Sequence, residues 1–260
     1  MKYALCVEYD GRPYCGWQKL SHAPSVQQEV EIALSKIANH SIEVVCAGRT
    51  DSGVHGIGQV IHFESDAVRT EKAWLLGGNS NLPASISFQW IKTVSDDFHA
   101  RFSALDRRYR YIILNQKIRP CLLHQCVTWF RPLLNEEVMQ QAANYLIGER
   151  DFSSFRASGC QASHAKREIK EIIVKRKGDY IYIDICANAF LYHMVRNIVG
   201  SLFDVGMGIK PPEWFAELLQ IKDRTQAGIT ASAYGLYFVS VSYPEKYQLP
   251  KKNERPEFLV

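Results

Sequence analysis

Asp51 is the residue on which a chemical reading of this chain turns. It lies in VVCAGRTDSGVHGIGQVIHF (44–63), where a single carboxylate sits between Arg49, Ser52, Gly53 and His55 on a loop flanked by two apolar runs. Such a carboxylate can hydrogen-bond its own turn, the common fate of Asp near glycine. It can also be held ionised on a rigid scaffold as a nucleophile or base. Asp-Ser-Gly fits one half of an aspartic protease site, but that chemistry needs two carboxylates sharing a proton. The chain supplies one such turn, and Arg49, two residues away, favours the ionised form.

Two further positions place charge or rings where chemistry would use them. Arg196 lies in LYHMVRNIVGSLF, where Leu191, Met194, Val195, Ile198, Val199, Leu202 and Phe203 leave little of a helix for water. A guanidinium there snorkels to solvent or meets an anion, because an unpaired buried charge is very costly. Pairing with Asp51 would keep that carboxylate ionised and oriented. Tyr109 stands among Arg107, Arg108 and Arg110. Its ring packs in a core or, with those cations, makes a platform for an unstacked RNA base. The histidines His55, His62, His99, His164 and His193 show no spacing that demands a metal or a triad. CLLHQC, with Cys121, His124 and Cys126, has no second ligand pair of the kind structural zinc wants.

The elements around these residues alternate between strand and helix. YALCVEYD reads as a half-buried strand with Leu5, Val7 and Tyr9 on one face. SVQQEVEIALSKIANH is a helix with a Ser25/Gln28 capping box and Val26, Val30, Ala33, Leu34 and Ile37 on one side. IEVVC and QVIHFES are strands on either side of the Asp51 loop. EKAWLLGGN follows as a short helix, then SFQWIKTV and RRYRYIILN as strands. In the last, Tyr109, Tyr111 and Ile113 share one face and Arg108 and Arg110 the other. A helix starts at the N-cap Asn135 and ends at Gly148. EIKEIIVKRKGDYIYIDIC is a hairpin turning at KGD, FLYHMVRNIVGSLFDVG and PPEWFAELLQ are helices, and YGLYFVSVSY is the final strand. The pattern argues for α+β, with NQKIRPCLLHQ as a candidate linker.

With 260 residues, 47% apolar and 22% charged, the chain has room for one large domain or two lobes, and its composition is not that of a disordered chain. No apolar run reaches the roughly 20 residues of a membrane span. Glu8 and Asp10 interrupt the first apolar run before any signal-peptide pattern forms, so a cytoplasmic protein is expected. Seven scattered cysteines without a C-x-x-C pair disfavour a disulfide framework. The net charge is only +4, but ARFSALDRRYRY and HAKREIKEIIVKRK concentrate the cations, which points to an anionic partner.

Taken together, EYDGRPYCGWQ, SVQQEVEIAL, AGRTDSGVHGIGQVIHF, FHARFSALDRRYRYII, DFSSFRASGC, NAFLYHMVRNIVGSL and YGLYFVSVSY resemble the ordered motifs of the tRNA pseudouridine synthase A family, from about residue 2 to residue 243. The resemblance implies a pseudouridine synthase fold: a mixed, mostly antiparallel central sheet flanked by helices, in two similar lobes with a cleft between them. The lobes are expected at 1–105 and 106–246, with a polar tail at 247–260. It also implies an isomerase (an intramolecular transferase) acting as a homodimer on tRNA. Uridines at positions 38, 39 and 40 of the anticodon stem-loop would become pseudouridine by base flipping, with neither a metal nor an organic cofactor.

Carried onto this chain, the resemblance makes Asp51 the nucleophile or base and Arg196 its basic partner. Tyr109 stacks on the uracil, Arg49 extrudes the base, and His55 joins them as a substrate contact. Arg101, Arg107, Arg108, Arg110, Lys166 and Arg167, with Lys170, are the candidate phosphate contacts. After ASGCQA the family's arginine-and-proline loop is replaced by SHAKRE, whose His164, Lys166 and Arg167 are suited to phosphate. Attack on the ribose, attack on the uracil ring and removal of a sugar proton all remain open to Asp51. A non-catalytic RNA-binding protein is the competing expectation, since basic clusters alone would serve it.

Overall fold

The computed structural model describes residues 1–250, so from residue 251 the expected polar tail lies outside the described residues. In chain order the elements are β1 (Lys2–Tyr9), α1 (Val26–Ala38), β2 (Val45–Cys46), β3 (His55–Glu64), α2 (Glu71–Asn81), β4 (Ile86–Val94), β5 (Asp106–Leu114), β6 (Thr128–Trp129), α3 (Glu136–Asn144), β7 (Gly148–Asp151), β8 (Lys166–Lys177), β9 (Tyr180–Ala187), α4 (Met194–Gly206), α5 (Trp214–Ile221) and β10 (Leu236–Ser242). The fold is α+β, with mixed and mostly antiparallel strand pairing. Among the described residues no helix is long and apolar enough to cross a membrane.

Two compact units divide the chain: Met1–Arg107 with the segment from Tyr237 onward, and Arg108–Leu236. The final strand was expected in the C-terminal lobe. Residues from Tyr237 instead cluster with the first unit, because β10 pairs in parallel with β3, Tyr237 opposite His55 and Phe238 opposite Gly56. NQKIRPCLLHQ lies inside the second unit and links nothing.

In the first unit β1 runs antiparallel between β4 and β3. Every residue from Tyr3 to Val7 is buried, so this strand is covered on both faces and not half-buried as its alternation suggests. Tyr3, Leu5, Val7 and Tyr9 pack with Val26, Val30 and Leu34 of α1 and with Trp74 of α2. Each such side chain contributes about 1.5–3 kcal/mol by leaving water. Ser25 caps α1 by accepting from the Gln28 amide, and Asn39 ends it in the left-handed region at φ 60°. One edge of β3 is taken by β1. Its other edge is shared by β10 at the start and β2 near the end, with Val45 opposite His62, and the loop 47–54 joins β2 to β3. The expected strand IEVVC shrinks to Val45–Cys46, while β3 starts at His55, earlier than its apolar run indicates.

The second unit orders its strands β5-β9-β8-β7, with β6 parallel to β5. β8 and β9 form the expected hairpin, Ile172 opposite Ile185 and Val174 opposite Ile183. Asn135 caps α3 by accepting from the Glu137 and Val138 amides. α4 starts at Met194, four residues later than the apolar run, because His193 sits in the left-handed region at φ 58°. β6 and β7 had no clear sequence signal: two and four residues are too short to show a period.

Candidate active site

The loop carrying Asp51 is fixed by its backbone. The Val54 amide donates to the Asp51 carbonyl at 3.1 Å, closing a tight turn in which Gly53 takes φ 79°, a value glycine adopts freely. The segment 9–17 wraps this turn. The Trp17 amide donates to the Thr50 carbonyl at 3.0 Å, and Ser52 Oγ donates to the Tyr14 carbonyl at 3.3 Å. The Tyr9 hydroxyl lies 2.8 Å from Thr50 Oγ1. Burial pushes the Tyr9 phenol well above its ordinary range, so it stays a neutral hydrogen-bond partner. Gly16, at φ 97°, approaches so closely that a Cβ there would stand 2.6 Å from the Thr50 carbonyl oxygen. From the other side Gln59 Nε2 donates to the Gly48 carbonyl. Asp51 itself is partly exposed and Arg49 is exposed, on a backbone that has little freedom to move.

His55 lies buried beside the segment 9–17. It is 4% exposed, its Nδ1 accepts from the Gly11 amide at 3.3 Å and lies 3.3 Å from Asp10, and its ring stacks on Tyr237 at 4.6 Å. Burial raises the Asp10 carboxyl, but hydrogen bonds from Arg12 and the nearby His55 outweigh it and hold the group below its ordinary value. The ring therefore braces the loop from behind. Tyr9, Asp10, Gly11, Gly16 and Thr50 were missed as individual supports. Their signals were the motifs EYDGRPYCGWQ and, for Thr50, AGRTDSGVHGIGQVIHF, whose neighbours in space the sequence does not name.

In the second unit Arg196 occupies the first turn of α4, partly buried. Its Nε donates to the Ala231 carbonyl at 2.8 Å, and the Ala231 amide donates back to the Arg196 carbonyl at 3.1 Å. The strap 228–231 lies flat on α4 because residue 200 is glycine; a Cβ there would overlap the Ile229 carbonyl. This contact fixes the root of the Arg196 side chain. Tyr109, on β5, is 7% exposed, and Phe190 packs edge-on against it at 4.9 Å, setting the plane of its ring.

The basic face expected on β5 is largely neutralised. Arg110 is 7% exposed, makes a two-pronged ion pair with Asp184 of β9 at 2.8 and 2.9 Å, and lies over the Tyr182 ring. Arg108 pairs with Glu171 of β8. Arg107 is 8% exposed and donates to the carbonyls of Ala47, Arg101 and Ala104. Alternation along one strand showed these cations but not the carboxylates and carbonyls that face them. Arg101, Lys166 and Lys170 are exposed, and Arg167, half-buried, folds back on the His164 and Lys166 carbonyls. Among the described residues no three His, Cys, Asp or Glu side chains gather as a metal would need, and all seven cysteines are free.

A braced turn presenting a carboxylate and an arginine, in an α+β chain with exposed cations, is the equipment of an enzyme that works on an anionic substrate. The chain belongs to the tRNA pseudouridine synthase family, whose profile matches residues 5–103 and 142–244. Relatives called tRNA pseudouridine synthase A are 57% identical in Enterobacter sp. (strain 638), 56% in Escherichia coli (strain K12) and 53% in Shewanella denitrificans. Each alignment covers 100% of this chain, and 96%, 96% and 100% of the respective relatives.

Proposed function

We propose that this chain, an isomerase that converts uridine to pseudouridine in tRNA, acts at positions 38, 39 and 40 of the anticodon stem-loop through Asp51. The observation that carries the reading is the Asp51 loop, whose backbone is hydrogen-bonded to the segment 9–17 while the carboxylate stays partly exposed. The reaction breaks the bond from uracil N1 to the ribose C1′, turns the base and joins C5 to C1′. C5 loses its proton and N1 gains one. A carboxylate at the sugar or ring starts this sequence as nucleophile or base, and a clamp on the ring keeps the loose base from escaping.

Arg196 takes the role of the carboxylate's basic partner in this reading. Tyr109, its ring plane set by Phe190, packs on the uracil, and Arg49 takes the place of the extruded base in the stem, offsetting a few kcal/mol of lost stacking. Arg101, Lys166, Arg167 and Lys170 hold phosphates. The enzyme works in the cytoplasm as a homodimer, a state that sedimentation velocity would read directly.

Release of tritium from tRNA labelled at uridine C5 tests the reading. Wild-type protein is expected to release it, and Asp51→Asn to bind tRNA without release. Release at the wild-type rate by the Asn variant would remove Asp51 from the chemistry. Salt-sensitive tRNA binding by the wild-type protein without release would leave only an RNA-binding protein.

A further inference from the structure

We propose that Phe102, with Arg101 beside it, is a stacking platform for an unpaired base of the tRNA, separate from the nucleotide being isomerised. The proposal rests on the tRNA-modifying reading above and adds to it a binding subsite outside the catalytic residues.

Phe102 is 76% exposed, yet it is not a loose loop tip. Its ring stacks on His99 with centroids 4.3 Å apart and planes 29° apart. The His99 Nδ1 accepts from both the Arg101 and the Phe102 amides at 3.2 Å, so the imidazole under the ring also pins the backbone that carries it. Ser103 closes the turn, its amide donating to the His99 carbonyl at 2.9 Å and its hydroxyl accepting from the His99 amide at 3.0 Å. Behind it, Phe98 is fully buried against Tyr243 and Tyr247, and the Ala100 amide donates to His62. A large apolar ring is thus held out into water by a rigid turn.

What it is held out for follows from its neighbours. The Arg101 guanidinium lies 5.6 Å from the Phe102 centroid, so cation and ring form one surface, suited to a base and its phosphate together. The platform is tied to the catalytic loop by a single side chain. Arg107 donates to the Arg101 carbonyl and, at 3.3 and 3.2 Å, to the carbonyl of Ala47, where the Asp51 loop begins. An RNA strand that puts one nucleotide at Asp51 therefore runs past Arg101 with a neighbouring base at Phe102. Stacking tolerates any base, so the subsite adds affinity without choosing a sequence.

The test measures tRNA dissociation constants over a range of salt for the wild type, Phe102→Trp, Phe102→Leu, Phe102→Ala and Arg101→Ala. Phe102→Trp is expected to bind as the wild type does. Phe102→Leu, which keeps apolar area but has no π-face, and Phe102→Ala are expected to bind about tenfold more weakly with an unchanged salt slope. Arg101→Ala should lower that slope by about one. Binding by the Leu variant within twofold of wild type overturns the platform. So does a change of oligomeric state in the Ala variant while Leu is tolerated, which would make Phe102 a contact between protein chains. Tritium release by the wild type, run alongside, separates these results from a failure of the tRNA-modifying reading itself.

Discussion

The Asp51 loop and strand β5 each hold arginines beside a residue of catalytic interest, and they use the charge in opposite ways. On the loop, Arg49 is exposed and the ordering is done by backbone hydrogen bonds, the Tyr9 hydroxyl and His55 packed behind. On β5, Arg110 and Arg108 are matched by Asp184 and Glu171 on neighbouring strands, and Arg107 is spent on three carbonyls. The same residue type is left exposed in one place and serves the fold in the other. What faces it decides which, and a buried guanidinium with a two-pronged carboxylate partner has no charge left to offer RNA.

If that contrast holds, changes on the loop lower activity at little cost in stability, and changes on β5 do the reverse. The largest effect is expected for Asp51→Asn, with single-turnover conversion lower by on the order of 10⁴-fold or more. Its melting temperature should move by no more than a few degrees. Arg110→Ala would leave the partly buried Asp184 without its partner and cost about 3 kcal/mol, lowering the melting temperature by roughly 10 °C. Replacing both partners by apolar residues of similar volume should recover much of that loss. A calorimetric scan in which Asp51→Asn melts far lower than Arg110→Ala would break the comparison.

Tyr9→Phe sharpens it within the loop. Thr50 would lose a buried partner, costing about 1 kcal/mol, and conversion should fall about tenfold with tRNA affinity unchanged, because the hydroxyl acts through the loop and not on RNA. An equal loss of affinity would place Tyr9 in contact with substrate.

The smallest effect is a pH dependence beneath the Phe102 turn. Desolvation, with the charges of His99 and Lys2, pushes His62 down from 6.5 to about 4. Between those values the unfolded chain carries the proton and the folded chain does not, so stability rises with pH across that window and is flat in this group's contribution outside it. Thermal melts should therefore fall as pH drops from about 6.5 to about 4. His62→Gln should flatten that part of the curve, and an unchanged curve would show that other groups set it.

Much of this was legible before any coordinates. The caps Ser25 and Asn135, the hairpin turning at Gly178 and the apolar face of α1 are local signals: a few neighbouring residues make the hydrogen bonds or the period. The motif around Asp51 was equally plain, because a carboxylate between Arg49 and Gly53 is an unusual local combination. The surroundings of His55 and of the β5 arginines escaped the sequence for a shared reason. Their partners, Asp10 and Tyr237 for the one, Asp184 and Glu171 for the others, lie 45, 182, 74 and 63 residues away, outside any local pattern.

The sequence by itself determined the class of elements, the candidate carboxylate and, through its motifs, the family, since all of these rest on residue type and short-range spacing. Only the tertiary structure decided that β10 returns to the first unit, that segment 9–17 braces the turn, and which arginines are paired within the fold. Those outcomes depend on which distant side chains meet in space, and a charge acquires its role only when its surroundings either neutralise it or leave it to solvent.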